Sequence, residues 1–218
     1  FRLRTEVLAQ AVTDQLADAY LGITQVADPQ VVVIDYSAPN VAKQMHVGNL
    51  RSTVIGDCLR RVITGVGHRV IAQNHIGDWG TQFGMLVEQI LDEGIDASSL
   101  TLPEAEELYA RASAHFRADE EFADRARGRV VALQAGDEPT RDIWHQLINI
   151  SRAGLNAAYR RMGVLLTDDD LAGESTYNDD LPSLVAELER NGTAVIDDGA
   201  LCVFVDGFAA PMIVRKRD

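Results

Sequence analysis

The chain has 218 residues, 46% hydrophobic and 24% charged, a globular composition sufficient for one sizeable domain or for one domain carrying an insertion. No apolar run reaches membrane-spanning length, and a formal net charge of −13 argues against a surface broadly complementary to nucleic acid. Two cysteines, Cys58 and Cys202, are too few for a cysteine metal cluster and read as core residues of a reducing compartment, not as a disulfide.

In chain order, Leu8, Val12, Leu16 and Tyr20 recur four apart and predict an amphipathic helix over residues 5 to 21. Val31-Val32-Val33-Ile34-Asp35-Tyr36 is an uninterrupted run of strand length, the pattern of a parallel strand covered on both faces. Ser37-Ala38-Pro39-Asn40 is turn chemistry. Leu50, Val54, Ile55, Cys58, Leu59 and Val62 then recur at helical spacing, so a helix should begin near Asn49, with Cys58 on its apolar face. Gly65-Val66-Gly67 ends it, and Arg69-Val70-Ile71-Ala72 reads as a second strand. Such a strand-helix-strand unit places ligands at the carboxyl ends of its strands.

Beyond it, Asn74-His75-Ile76-Gly77-Asp78-Trp79-Gly80 has loop composition and leads into a helix through Phe83, Met85, Leu86 and Ile90. From Leu102 to Gly136 the texture is acidic, alanine-rich helix; Pro139 opens a longer one bearing Trp144, Leu147, Ile148, Leu155, Tyr159 and Met162. Pro182 to Arg190 gives a short helix, and the segments flanking Asp198-Gly199 predict a hairpin in which Cys202 is buried. The pattern reads as a Rossmann-like α/β parallel-sheet nucleotide-binding fold with a largely helical insertion or extension, of which a family resemblance carried by the motifs implies only the first half. We divide it into residues 1–93 (half-fold), 94–165 (helical insertion) and 166–218 (the remainder, with the hairpin, returning toward the nucleotide fold).

His46-Val47-Gly48-Asn49 falls where the first strand gives way to the helix. A helix amino terminus offers unpaired N–H donors and partial positive charge to a triphosphate, and His46 adds an imidazole for phosphate oxygens. Gly48 leaves room for a flat adenine against the backbone. A histidine at a helix start is also an ordinary capping residue. Basic stretches at Arg60-Arg61, Arg111 to Arg129 and Arg215-Lys216-Arg217 are candidate grooves or plain solvated faces.

Asp35 through Lys43, His46 through Thr53, and Asn74-His75-Ile76-Gly77-Asp78-Trp79-Gly80-Thr81-Gln82-Phe83-Gly84 together resemble arginyl-tRNA synthetases of the bacterial type, class I aminoacyl-tRNA synthetases. Gly173-Glu174-Ser175-Thr176-Tyr177-Asn178 and the closing block Pro211 to Asp218 resemble later blocks of the same family, in the same order. The resemblance implies a cytoplasmic arginine-tRNA ligase that uses ATP and Mg2+ to convert L-arginine to arginyl-adenylate and esterifies tRNA(Arg). It assigns His46, Asn49 and Lys43 to catalysis, and these with Gly48 to ATP binding. Arginine would be held by Asp35, Ser37, Asn40 and Asn49, with Glu174 for the guanidinium, while His75, Asp78 and Gln82 line the site. Trp79 reads as a packing residue.

Two departures stand out. Asn49 replaces the usual second histidine of the signature; it donates a hydrogen bond but carries no positive charge. Phe1-Arg2-Leu3-Arg4 looks like neither a secretory signal nor a translation start, and Asp218 falls where family members continue. The expectation is therefore an internal fragment of the catalytic domain, inactive alone and prone to self-association, from a family whose full-length members are often monomeric. Two other readings stay open: a nucleotidyltransferase acting on a small phosphate ester, and a catalytically inactive synthetase-like chain that binds a partner.

Overall fold

Val31–Asp35 forms strand β1 and Arg69–Gln73 forms β2, paired parallel from Val31 opposite Arg69 to Asp35 opposite Gln73. The structure, a computed structural model, describes residues 2–215. Phe1 and residues 216–218, which include the ends of the basic stretch at 215–217 and of the closing block, lie outside them. The described chain divides into two units, residues up to Gly173 and residues from Glu174 onward.

In the first unit, helix α1 (Thr5–Ala17) has no buried residue, so its stripe of Leu8, Val12 and Leu16 faces outward. Helix α2 (Val47–Gly65) joins the two strands and begins two residues earlier than Asn49. Its orientation corrects the sequence reading. The buried residues are Thr53, Gly56 and Asp57, whereas Val54, Ile55, Leu59 and Val62 are exposed, and so is Cys58. α2 docks through its small and polar side. The Tyr36 side chain fills the space a Cβ on Gly56 would need, and Asp57 accepts hydrogen bonds from Tyr36 Oη (3.3 Å) and the Leu165 amide (2.7 Å). β1 is likewise not covered on both faces: Val31 and Val33 are exposed and Val32 and Ile34 partly buried, because the described sheet has two strands and no layer over that side.

The main core lies among the helices. Helix α3 (Thr81–Glu93) is buried from Phe83 to Ile90 and ends at Gly94 in the left-handed conformation (φ 64°) that a residue without Cβ adopts at no steric cost. The stretch expected as one helical texture is two helices, α4 (Leu102–Ala118) and α5 (Glu120–Ala135). Asp119 breaks them apart, because its carboxylate accepts from the Glu121 and Phe122 amides and starts α5. Helix α6 (Glu138–Met162) carries Pro139 in its first turn, as expected. Tyr36 and Val41 after β1, Phe83, Leu86 and Ile90 of α3, Leu108 of α4, and Leu147, Leu155 and Tyr159 of α6 form one buried cluster. The post-β1 segment is thus clamped against the helical part.

The second unit holds helix α7 (Leu181–Arg190) and an antiparallel sheet of β3 (Val195–Asp197), β4 (Ala200–Val203) and β5 (Met212–Arg215), in that order. The hairpin at Asp198-Gly199 and the burial of Cys202 agree with expectation; β5 was not foreseen, since no turn dipeptide announces it. Ala194, Leu201 and Val203 pack with Val185, Leu188 and Val214.

An ion cluster joins α3 to α5. Glu88 is 4% exposed, and its carboxylate accepts from Arg125 Nε (2.6 Å) and Arg129 Nε (2.7 Å). Burial alone would push the carboxyl up; the two guanidiniums more than offset it and hold it below the ordinary glutamate range. A depressed folded-state pKa means that the stabilisation is complete above the unfolded value near 4.3 and is lost as pH falls through the folded one. Glu88→Gln should therefore cost about 2 kcal/mol in urea unfolding at pH 7, and the gap from the unsubstituted chain should narrow progressively below about pH 4.

Candidate functional site

The segment leaving β1 is held in an unusual backbone conformation. Ser37 (φ 77°), Ala38 (φ 46°) and Ala42 (φ 58°) occupy the left-handed region, which costs non-glycine residues on the order of 1–3 kcal/mol each. Each is fixed by side chains from elsewhere. Asn74 Oδ1 accepts from the Ala38 amide (3.0 Å), and Ser151 Oγ of α6 accepts from the Ala42 amide (2.8 Å). Ser37 Oγ is 2.7 Å from Tyr159 Oη and accepts from Thr53 Oγ1 (2.9 Å), while Asn74 Nδ2 donates to Tyr159 Oη (3.0 Å). Burial pushes the Tyr159 phenol up, and its bonds to Ser37 and Asn74 oppose the shift, so it stays a neutral hydroxyl at physiological pH. Ser37, expected at the backbone end of arginine, is 3% exposed and spends its hydroxyl on this network.

The signature builds the start of α2. His46 is the N-cap: Nδ1 accepts from the Gly48 amide (3.0 Å), and Asn49 Oδ1 accepts from the His46 amide (3.2 Å). With Nδ1 an acceptor, the neutral ring carries its proton on Nε2, an outward donor on an exposed residue. A Cβ on Gly48 would lie 2.8–2.9 Å from the His46 ring, so the glycine makes room for the cap itself. Asn49 keeps Nδ2 available as a donor.

Around this start, Lys43 Nζ sits 4.0 Å from the Tyr109 ring centroid, and Gln44 Nε2 donates to Glu106 Oε2 (2.8 Å), both partners on α4. At the ends of the strands, His75 Nδ1 lies 3.1 Å from Asp35 Oδ1, with both side chains partly open to solvent. Asn40 bridges to Gly77 in parallel fashion; a Cβ on Gly77 would collide with Asn40 Oδ1. Gln82 Nε2 donates to the Gly77 carbonyl (2.9 Å), and Asp78 is buried, its carbonyl accepting from Trp144 Nε1 (2.7 Å). Trp79 packs edge-on against Trp144, ring centroids 5.5 Å apart, as a core ring would. Asp35, Asn40, Lys43, His46, Asn49, His75 and Gln82 are thus carried by the segments that leave the carboxyl ends of the parallel strands. Glu174 belongs to the second unit, where it is exposed and opens a 3₁₀ turn, Glu174–Tyr177.

Most arginines of the first two basic stretches are neutralised; the third, 215–217, lies largely outside the described residues. Arg111, Arg125, Arg127 and Arg129 each pair with a carboxylate, Arg60 pairs with Asp170 and Arg61 with Asp57. Most of them tie elements together. Among the described residues no group of three or more His, Cys, Asp or Glu side chains is arranged to hold a metal ion, and no helix is long and apolar enough to cross a membrane. Sequence reasoning missed Asn74, Ser151, Tyr159 and Tyr109 as supports. Tyr159 and Tyr109 hide within helical periodicity; the asparagine that opens the Asn74 block was the one visible hint. Tyr159→Phe removes the hydroxyl shared by Ser37 and Asn74, and should lower the unfolding free energy by about 1–2 kcal/mol in urea denaturation.

Comparison with known proteins gives the family. The family model described as the catalytic domain of class I tRNA synthetases (R) matches residues 11–218. The arginine-tRNA ligase of Cutibacterium acnes is 61% identical over 217 residues, covering 100% of this chain and 39% of the relative. That of Thermobifida fusca is 52% identical, covering 99% and 39%. The chain therefore spans about two-fifths of the length of these curated relatives. The arginyl-tRNA synthetase of Plasmodium falciparum superposes with a TM-score of 0.68 at 29% identity, over 86% of this chain and 32% of that one. The Thermus thermophilus enzyme shares the fold with a TM-score of 0.62 at 22% identity, over 98% and 36%. The alternative of a nucleotidyltransferase outside this family is not favoured. From the family match along residues 11–218, the identity to these relatives and the shared fold, the chain belongs to the family of class I arginyl-tRNA synthetase catalytic domains.

Proposed function

We propose that this chain is the nucleotide-activating part of a cytoplasmic arginine-tRNA ligase, which joins L-arginine to ATP and passes the arginyl group to tRNA(Arg). The carrying observation is the His46-capped start of α2, an outward Nε2–H donor at a helix amino terminus, in the same segment as Lys43. In the reaction an arginine carboxylate oxygen attacks the α-phosphorus of ATP and pyrophosphate leaves, so negative charge moves toward the β-phosphate. A fixed N–H donor, the helix terminus and the Lys43 ammonium suit that movement, and no covalent enzyme intermediate is required. Asn49 adds a neutral donor where a second histidine would supply one that can be charged.

For arginine, Asp35 and Asn40 at the strand end are the proposed partners of its α-amino end; Ser37, buried below them, shapes the loop. His75, through its contact with Asp35, and Gln82, through Gly77, hold that edge. The proposal of Glu174 for the guanidinium rests on the sequence block alone. Magnesium, if it accompanies ATP, would be carried largely by phosphate oxygens and water, since these residues do not make a cage for it. The long stretch from 94 to 165 we read as the insertion of the catalytic domain.

Arginine-dependent exchange of labelled pyrophosphate into ATP, measured on the full-length protein with tRNA present, tests the reading. Activity is expected, and His46→Ala should reduce kcat by about two to three orders of magnitude, far beyond what the loss of about 1 kcal/mol of stability from the missing helix cap would cause. No exchange in the unsubstituted full-length protein would refute it and leave the partner-binding reading. The 218 residues alone should be inactive and should self-associate, because Val31, Val33, Val54, Ile55 and Val62 are all more than half exposed. Static light scattering that found a monomer at every concentration would contradict the second expectation.

A further inference from the structure

We propose that Tyr109 of α4 is a positioning residue for nucleotide activation, its ring holding the Lys43 ammonium in place for a nucleotide's phosphates. The inference rests on the function proposed above. Among the described residues Lys43 is the single lysine, and it pairs with no carboxylate; its partner is the face of Tyr109, 4.0 Å away. Arg111 of α4 and Arg125, Arg127 and Arg129 of α5 are by contrast taken by acids.

The choice of partner has a physical consequence. A carboxylate on Lys43 would cancel its charge and repel an incoming polyphosphate. An aromatic face restrains the ammonium without adding negative charge, and it occupies one side of a group that has three N–H donors. The remaining donors stay directed away from the ring. Lysine is a long, flexible side chain, and holding it beforehand removes part of the ordering cost of binding an anion. One helical turn earlier on α4, Glu106 takes the amide of Gln44, so its carboxylate is occupied by a neutral donor next to Lys43 in sequence. Two successive residues of the signature loop are therefore fixed by one face of α4. Tyr109 itself is partly buried and packs against both core clusters of the helical part, which makes the ring a rigid platform.

The test uses the full-length protein and a non-hydrolysable ATP analogue, with its Kd measured by calorimetry. Tyr109→Leu should raise the Kd about two- to fivefold, whereas Tyr109→Phe, which keeps the ring, should leave it near the unsubstituted value. In a Lys43→Met background Tyr109→Leu should add nothing. An unchanged Kd for Tyr109→Leu, or an equal loss with and without Lys43, overturns the proposal. Should Tyr109→Leu fail to fold, the unsubstituted protein decides. The ε-methylene NMR signal of Lys43, assigned by its disappearance in Lys43→Arg, is expected upfield of the other lysines through the ring current. An unshifted signal refutes the contact. Normal analogue binding and arginine-dependent exchange with no Tyr109 effect would sink this inference alone; absence of both in the unsubstituted protein would sink the functional reading beneath it.

Discussion

Tyr159 Oη, the Asn74 amide and the Ser37 and Thr53 hydroxyls meet in the buried layer beneath the signature loop, and the loop's shape depends on them. Three non-glycine residues in six stand in the left-handed region there, a cost of several kcal/mol if unopposed. Hydrogen bonds worth about 1 kcal/mol each, together with the burial of Val41 and Tyr36, offset it only because every donor and acceptor is matched in a water-poor setting. The supports come from the loop after β2, from α2 and from the far end of α6, so residues more than 100 positions apart fix a single turn of backbone. This is why the helical stretch belongs to the site although it contributes none of the signature.

Electrostatics are divided along the same line. Several arginines of α4, α5 and α2 are consumed as internal ties: Arg111 on Glu93, Arg125 and Arg129 on Glu88, Arg60 on Asp170, Arg61 on Asp57. A chain with formal charge −13 could not receive a polyphosphate through its average field. On the function proposed above it would do so locally, with oriented N–H groups and one restrained ammonium. The His46 cap and the Lys43–Tyr109 contact supply both within a few residues of loop.

Much of the fold was legible because its signals are local. The run Val31 to Asp35, the Gly65-Val66-Gly67 stop, Pro139 at a helix start and Asp198-Gly199 in a hairpin each act through backbone geometry, and each is found where the sequence puts it. What failed was the inference from apolar periodicity to burial. Val54, Ile55, Cys58 and Leu59 form a good helical stripe, yet α2 packs through Thr53, Gly56 and Asp57, because a tyrosine ring and a carboxylate network lie on that side. The stripe and the open face of β1 are apolar surfaces without a covering layer in this segment. For the site, the histidine and glycine were readable as candidate chemistry, whereas the lysine was singled out only by the family resemblance. Tyr159, Ser151 and Tyr109 were not readable: their importance is set by what they meet from distant sequence, which no helical wheel records. Ser37, expected at the backbone end of arginine, is buried and hydrogen-bonded to Tyr159 and Thr53, which the sequence did not foresee.

The close approach of Gly48 to the His46 ring carries a lesson about what a sequence signature certifies. The histidine caps the helix, the glycine gives the imidazole its space, and the asparagine closes the box onto the histidine amide, so all three are demanded by folding before any nucleotide arrives. A descendant that lost the reaction would still be under selection to keep them, since their removal frays the first turn of α2. Persistence of this tetrapeptide across lineages would therefore be a record of helix initiation as much as of chemistry, and evolutionary claims of retained catalysis need a residue that the scaffold itself could spare.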